Sequence, residues 1–223
     1  MEKDLVILLH GLIRTRWSMR KLASSLSLAG YEVFNCAYPS RTRTIEELSE
    51  WVFAKIAPRI RRGNGAKKIH FVTHSMGGIL VRQMAENHPS LPLGRVVMLA
   101  PPNQGSELVD ALKNNPIFKL LNGPAGAQLG TDEQSVPINL LRTPRFECGI
   151  IAGNRSFNPL FSKIIGSEND GKVAVKRTKL PGVKNFLLLP VNHTFIIRNP
   201  AVIRQTIHFL QHGRFAETRP QKL

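Results

Sequence analysis

Short apolar runs alternate with amphipathic stretches along the first part of the chain. Leu5–Leu9 is an unbroken apolar run, which is typical of a strand covered on both faces. Residues 15–28 have the spacing of an amphipathic helix, and Gly30 follows where a helix stop is expected. Residues 31–38 predict the next strand. The first forty residues therefore predict a strand, a helix and a second strand.

A longer helix is predicted behind Thr44-Ile45-Glu46-Glu47, which has the spacing of a capping box. Apolar residues then recur on one face of this helix. They are Ile45, Leu48, Val52, Ile56 and Ile60. Pro58 lies inside the pattern and predicts that the helix kinks or ends early, because proline lacks an N–H and clashes with the preceding turn.

The alternation continues through the rest of the chain. A third strand at 68–73 is followed by a helix at 76–87 and by a fourth strand at 95–100. The remaining predicted elements are short helices at 107–113 and 117–121, strands at 145–152 and 186–190, and a final helix at 201–211. Asn199-Pro200 and Gly213 supply the start and stop signals of that last helix.

This order indicates an α/β fold with a mostly parallel central sheet of about six strands, helices on both faces and right-handed crossovers. A segment at about 103–144 is rich in Gly, Pro, Asn and Gln, and it predicts a short cap-like insertion. We expect a single domain over residues 1–213 and a frayed basic tail at 214–223.

The composition is that of an ordinary globular protein. Of 223 residues, 42% are hydrophobic and 21% are charged, which excludes a disordered or fibrous chain. Two cysteines are too few for a disulfide-rich scaffold or a cysteine-based zinc site. Leu5–Leu9 is too short for a signal-peptide core or a membrane span, so we expect a cytoplasmic, reducing location with free thiols.

The charge balance is less ordinary, because 31 Lys and Arg face 15 Asp and Glu, a net charge of +16. Such a surface favours anionic partners. The basic residues are spread along the chain, however, and neither a zinc-finger spacing nor an RNA-binding aromatic motif is present. A generally cationic surface is therefore the simplest interpretation. An anionic membrane surface remains an alternative partner, and nucleic acid is disfavoured.

Ser75 is the candidate nucleophile. The third strand runs into Ser75 and then into a helix. A serine at a sharp strand-to-helix turn exposes its hydroxyl, and the N–H groups at the helix start favour developing negative charge. Gly77 provides the small residue two positions after the serine, whereas Thr73 stands where the G-x-S-x-G motif has its first glycine.

These features resemble the α/β-hydrolase fold, and within it the small lipase and esterase branch. Residues 8–12 (LLHGL) look like the HG loop that ends the first core strand of such enzymes. Residues 99–106 (LAPPNQGS) resemble the segment after the strand that follows the nucleophile helix, and 169–171 (NDG) and 192–194 (NHT) lie where the family keeps its acid and its histidine. The resemblance spans residues 5 to about 210 and implies a minimal fold without the two leading antiparallel strands.

His193 is the candidate general base, since a serine hydroxyl is a poor nucleophile until a base takes its proton. Among seven histidines, His193 alone follows a strand end and precedes the last helix, where a loop can present its imidazole to Ser75. His10 belongs to the HG loop, and His74 should point away from the hydroxyl. A plain loop histidine is the alternative interpretation of His193.

The acid is sought between Ser75 and His193, because the fold orders its triad as serine, acid, histidine. Glu168 and Asp170 are the carboxylates that follow the fifth strand and precede the histidine. Asp170 precedes a glycine and matches the family's acid position, so it is preferred over Glu168, with Asp132 third. Its role would be to hold the imidazole's tautomer and stabilise its protonated form.

The resemblance implies a serine hydrolase that cleaves carboxylic esters of small molecules or lipids through an acyl-enzyme, with no metal or organic cofactor. The backbone N–H groups of Leu12 and Met76 would form the oxyanion hole. An acyltransferase that uses the same triad is one alternative. A non-catalytic cationic binder of anionic lipid or nucleic acid is another.

Apolar residues of the insertion and of the loop before Asp170 have two interpretations: they line an acyl pocket, or they pack these segments onto the core. They are Leu108, Leu112, Ile117, Phe118, Leu120, Leu121, Phe157, Leu160 and Phe161.

The family's strand order would separate Cys36 from Cys148 by three strands, roughly 19 Å. This is too far for a disulfide, so two free, buried thiols are expected.

Overall fold

The computed structural model describes residues 3–62, 68–140 and 143–217, and within them the chain forms one six-stranded sheet surrounded by helices. The strands are β1 (Leu5–Leu9), β2 (Glu32–Cys36), β3 (Ile69–His74), β4 (Leu93–Leu99), β5 (Glu147–Gly153) and β6 (Asn185–Leu189). Every neighbouring pair is parallel, in the order β2-β1-β3-β4-β5-β6. The prediction of an α/β fold with a parallel central sheet is confirmed.

The helices follow the strands in alternation. They are α1 (Arg20–Leu28), α2 (Ile45–Arg62), α3 (Met76–Asn87), α4 (Glu107–Leu112), α5 (Pro116–Ala127), α6 (Val136–Asn139), α7 (Pro159–Ile165), α8 (Val175–Thr178) and α9 (Pro200–His212). Short 3₁₀ turns precede α1 at Arg16–Met19 and α9 at Ile196–Arg198. Among the described residues, no helix combines the length and the apolar composition that crossing a bilayer requires.

Helices cover both faces of the sheet, which explains the unbroken apolar run of β1. Ile7 packs in one core cluster with residues of α2 and α3, including Ile79. The adjacent Leu8 packs in a second cluster with residues of α1 and α9, including Phe209. Since successive strand residues point to opposite faces, a strand buried on both faces needs apolar residues at every position.

Helix α2 begins as the sequence predicts and ends later. The Thr44 N–H donates to the Glu47 carboxylate at 2.9 Å, and the Glu47 N–H donates to the Thr44 hydroxyl at 3.3 Å, which completes the capping box. Pro58 was predicted to kink the helix or to end it early; the early end is wrong, because the helix continues to residue 62. Ile56 and Ile60 pack against the core on either side of Pro58, and this burial outweighs the loss of one backbone hydrogen bond.

Helices α6, α7 and α8 were absent from the sequence prediction. Each has seven residues or fewer, too short for a hydrophobic periodicity to appear. The side chain of Asn158 caps α7 by accepting a hydrogen bond from the N–H of Phe161.

Helix α5 extends further than predicted because two helical pieces join across a kink at Gly123, which has a φ of 65°.

The two cysteines are free and buried, as predicted. Cys36 ends β2 and Cys148 lies in β5, so β1, β3 and β4 separate them. Burial raises the pKa of Cys36 to about 11 and that of Cys148 to about 12. Both thiols therefore remain protonated at neutral pH and behave as small core residues.

The segment between β4 and β5 is attached to the nucleophile helix α3 through a buried arginine. Arg82 donates to the backbone oxygens of Asn103 at 2.9 Å, Pro137 at 3.2 Å and Leu140 at 3.4 Å. Burial lowers the pKa of Arg82 to about 10, which still leaves the guanidinium charged at neutral pH. Both ends of the segment are thereby fixed to the helix that follows Ser75.

Part of the predicted frayed tail lies among the described residues. The side chain of Gln205 bonds the backbone N–H and oxygen of Ala216 at 2.8 and 3.1 Å, and Phe215 packs on Phe209. The remainder of the predicted tail, 218–223, lies outside the described residues.

Candidate active site

Ser75 lies in the tight turn between β3 and α3, with φ 52° and ψ −124°. Positive φ is strained for a residue with a side chain and persists only where the surroundings impose it. The Ser75 N–H donates to the Leu99 oxygen of β4 at 2.9 Å, and the Gly78 N–H donates to the Ser75 oxygen at 3.0 Å. These bonds hold the turn in the conformation of a nucleophile elbow.

The residues around the elbow explain why it tolerates a threonine. A Cβ on Gly77 would lie 2.8 Å from the Leu9 oxygen, so this position accepts only glycine without a shift of β1. Thr73 is fully buried, and a Cβ on Gly78 would lie 3.3 Å from its hydroxyl. Gly78, which follows the second glycine of the motif, therefore leaves the space that the threonine side chain uses.

Replacing Gly77 with alanine is expected to lower the free energy of unfolding by about 2 kcal/mol, because the new methyl group meets a backbone oxygen that cannot move away. Gly78→Ala is the matched control, since its Cβ would meet side-chain atoms of Met98 and Pro101 at 3.3 and 3.2 Å. Urea denaturation of both variants measures the difference. An equal loss of stability in the two variants would contradict this account of the elbow.

His193 is positioned between Ser75 and Asp170. Its Nε2 lies 3.0 Å from the Ser75 Oγ, and its Nδ1 lies 2.7 Å from Asp170 Oδ2. The backbone N–H of His193 also donates to the Asp170 oxygen at 3.0 Å. With Nδ1 protonated and donating to the carboxylate, Nε2 is free to accept the serine proton.

The Asp170 carboxylate is buried, and both of its oxygens have hydrogen-bond partners. Its Oδ1 accepts the backbone N–H groups of Lys172 at 3.0 Å and Val173 at 2.8 Å, while Oδ2 faces His193. The tight turn behind it needs Gly171, whose φ is 96°. These bonds fix the positions of both carboxylate oxygens.

The other two candidate acids lie elsewhere. Glu168 is exposed and accepts from the Asn154 side chain at 2.9 Å. Asp132 forms an ion pair with Lys113 and accepts from the Ser135 hydroxyl at 2.7 Å. The structure thus brings Ser75, His193 and Asp170 together, and it leaves the two alternatives without contact to the imidazole.

Two further histidines support the site without facing the hydroxyl. His74 Nε2 donates to the His193 backbone oxygen at 2.9 Å, and its ring centre is 4.9 Å from the His193 ring. Burial, with a smaller contribution from His193, holds the pKa of His74 well below its usual value, so His74 is neutral. His10 stacks on Tyr38, whose hydroxyl donates to the His10 backbone oxygen.

The loop of the predicted oxyanion hole packs directly on the elbow. A Cβ on Gly11 would lie 3.1 Å from the Ser75 Cβ, so only glycine allows this approach. Leu12 follows in a turn closed by the Arg14 N–H and the Gly11 oxygen at 3.2 Å. Met76 is the first residue of α3, so its N–H has no acceptor within the helix. Their roles in an oxyanion hole remain predictions.

A cavity of about 420 Å³ opens beside Ser75 and His193. Six of the nine predicted residues line it, namely Leu108, Leu112, Ile117, Phe118, Leu121 and Phe161. Leu120, Phe157 and Leu160 are exposed and are not among its lining residues. Most of the insertion's predicted residues therefore line this cavity, and its role as an acyl pocket stays a prediction.

Two cations at this cavity were missed by the sequence analysis. Arg14 and Lys172 both line it, and Arg14 donates to the Thr194 hydroxyl at 3.2 Å. Arg14 comes two residues after Leu12 of the predicted oxyanion hole, and Lys172 comes two residues after the predicted acid Asp170. No local pattern connects two residues so far apart along the chain, so their convergence becomes visible only in the fold.

Comparisons with known proteins agree with the fold. A family model described as the alpha/beta hydrolase fold matches residues 4–139. No curated protein matches the sequence. Among solved structures, the mature lipase BlEst2 of Bacillus licheniformis is similar with a TM-score of 0.77 at 21% identity, over 96% of this chain and 93% of that one.

Two other similar structures are longer than this chain. Phospholipase PlaB of Legionella pneumophila has a TM-score of 0.65 at 20% identity, over 79% of this chain and 46% of that one. The metagenomic carboxyl esterase MGS0156 has a TM-score of 0.63 at 19% identity, over 85% and 64% of the two chains. At these identities the likeness concerns the fold.

Proposed function

The chain belongs to the alpha/beta hydrolase fold family, and on that premise we propose that it is a serine hydrolase that cleaves carboxylic esters. The observation that carries the proposal is the connected series Ser75 Oγ, His193 Nε2, His193 Nδ1 and Asp170 Oδ2, with separations of 3.0 and 2.7 Å, beside an apolar cavity. A serine, a base and an orienting acid in contact are the requirements of nucleophilic acyl transfer. The lipase and esterase names of the similar structures agree with this choice.

In the first half of the reaction, Ser75 Oγ attacks the ester carbonyl carbon while His193 Nε2 takes the hydroxyl proton. The carbonyl oxygen becomes negatively charged and accepts hydrogen bonds from the backbone N–H groups of Leu12 and Met76. His193 then returns the proton to the leaving alcohol oxygen as the carbon–oxygen bond breaks. The products of this half are the free alcohol and an acyl group on Ser75.

In the second half, water takes the place of the alcohol. His193 removes a proton from the water, whose oxygen attacks the acyl carbon, and Ser75 leaves with the proton returned by His193. His193 keeps its Nδ1 proton and donates it to the Asp170 carboxylate, which stabilises the imidazolium in both halves. The carboxylic acid then dissociates and the three side chains return to their starting states.

The surroundings of the cavity support an ester presented at a lipid surface. Ile13, Ile117 and Leu121 line the cavity and are also exposed to solvent. Exposed apolar residues at the mouth of a cavity favour contact with an apolar phase. The net charge of +16 complements an anionic surface. We therefore take an anionic lipid surface as the partner that delivers the substrate.

The experiment is hydrolysis of 4-nitrophenyl esters of rising chain length by the purified protein, with no vesicles, neutral vesicles or anionic vesicles. We expect turnover of short esters in solution, and a rise in the rate for long esters that anionic vesicles cause and neutral vesicles do not. Added alcohols and amines test the acceptor, and water is expected to take most of the acyl group.

The outcomes separate the parts of the proposal. If no ester is hydrolysed under any condition, the hydrolase assignment is wrong. If esters are hydrolysed equally well with all vesicles, only the anionic surface is excluded. If the acyl group passes mainly to an added alcohol or amine, the protein is an acyltransferase.

A further inference from the structure

We propose that Arg14 and Lys172 bind a negatively charged group on the alcohol portion of the ester, so that the preferred substrate is an acyl ester of a phosphorylated or carboxylated alcohol. The inference rests on the proposed function and adds the substrate class. Both side chains line the cavity that contains Ser75 and His193. Arginine and lysine are the usual partners of phosphate and carboxylate groups in proteins.

The two cations are attached to the segments that carry His193 and Asp170. Arg14 donates to Thr194, the residue after His193, at 3.2 Å. The backbone N–H of Lys172 donates to the Asp170 carboxylate at 3.0 Å. The leaving oxygen must lie at the His193 Nε2 to receive its proton. A charged group on the alcohol would therefore be near Arg14 and Lys172.

The acyl chain has a different place. Helices α4 and α5 contribute an apolar wall to the same cavity, including Leu108, Leu112 and Phe118. Burying a charged group against such a wall is unfavourable, whereas an acyl chain gains free energy there. The apolar wall thus suits the acyl part of the ester, and the two cations suit its anionic part.

Neither cation is neutralised by the protein itself. Over the described parts of the chain, no carboxylate forms an ion pair with Arg14 or Lys172, and no Asp or Glu lines the cavity. Arg177, by contrast, pairs with Glu107 at 2.9 Å. Lys172 is exposed to solvent as a residue, and the packing around its ammonium group and then the charge of Arg14 lower its pKa, against a smaller opposite effect of Asp170. A bound anion would supply the charge that this pair lacks.

The test compares three octanoyl esters below their micellar concentrations: 1-octanoylglycerol, 1-octanoylglycerol 3-phosphate and 3-octanoylglycerate. The acyl chain is the same in all three, and the alcohol is neutral, phosphorylated or carboxylated. The readout is the ratio of kcat/KM for each anionic ester to kcat/KM for the neutral one. We expect the unaltered protein to favour at least one anionic ester, and the larger ratio identifies its anion.

Variants then assign the preference to the two side chains. Arg14→Gln and Lys172→Gln are each expected to lower the ratio by about 10- to 100-fold, the usual loss for a hydrogen bond to a charged group. Arg14→Lys and Lys172→Arg keep the charge and should retain part of the preference. Arg204→Gln, an exposed change on α9, is the control for net charge and should leave the ratio unchanged.

Failure of this inference differs from failure of the proposed function. If the unaltered protein hydrolyses the three esters equally, or if both glutamine variants keep the original ratio, the anion-binding role is wrong while ester hydrolysis stands. If none of the three esters is hydrolysed, the proposed function fails, and the inference fails with it.

Discussion

Replacing Ser75 with alanine is expected to lower kcat for ester hydrolysis by about 10⁶-fold, the loss found when a triad serine is removed. The Ser75 Oγ is the atom that His193 Nε2 contacts at 3.0 Å, and alanine leaves the base with nothing to deprotonate. Ser75 is only half-buried, so the change removes little packing. The same argument predicts no further loss when His193→Ala is added, because the two residues act as one unit.

Ser24→Ala is the control for this experiment. Ser24 lies on α1, where its hydroxyl donates to the Arg20 backbone oxygen at 3.1 Å on the protein surface. The control is expected to keep the original rate, and circular dichroism should show that both variants are folded. If the folded Ser75→Ala variant hydrolyses esters at the original rate, Ser75 is not the nucleophile.

Asp170→Asn is expected to lower kcat by about 10⁴-fold, the loss typical of a triad acid replaced by its amide. The reason is specific to the hydrogen bonds of this carboxylate. Oδ1 accepts two backbone N–H groups, from Lys172 and Val173, so the amide oxygen of asparagine will take that position. The amide NH₂ then faces His193 Nδ1, which must accept instead of donate. This selects the tautomer with Nε2 protonated, which cannot take the proton of Ser75.

Glu168→Gln is the matched control, because Glu168 is the other acid that the sequence leaves open. Its carboxylate contacts Asn154 and makes no contact with His193. We expect it to keep at least half of the original kcat. A large loss in the Glu168 variant together with a small loss in Asp170→Asn would reverse the assignment of the acid.

The sequence predicted the sheet because burial on two faces leaves a clear pattern. Leu5–Leu9 is apolar at every position since helices cover both sides of β1. Helix starts with a side-chain cap, at Thr44 and Asn199, were also predicted, because these signals are local. The end of α2 was not, since packing of Ile60 against the core lies outside the local rule for Pro58.

The residues of the site differ in how far the sequence alone could identify them. Ser75 lies in a strand-turn-helix pattern that the sequence shows directly, whereas Asp170 and His193 were chosen partly through the resemblance to a family. Their separations, and the carbonyl contact between His74 and His193, depend on how distant segments meet. Arg14 and Lys172 were missed for the same reason.

The most direct test of the central claim is covalent labelling of the native protein with a fluorophosphonate, followed by peptide mass spectrometry. The account predicts one phosphonylated residue, Ser75, with labelling abolished in Ser75→Ala and strongly slowed in His193→Ala. These results require the hydroxyl and the imidazole to act together, as the 3.0 Å contact implies. A folded protein that takes up no label, or takes it up at another serine, would contradict the account.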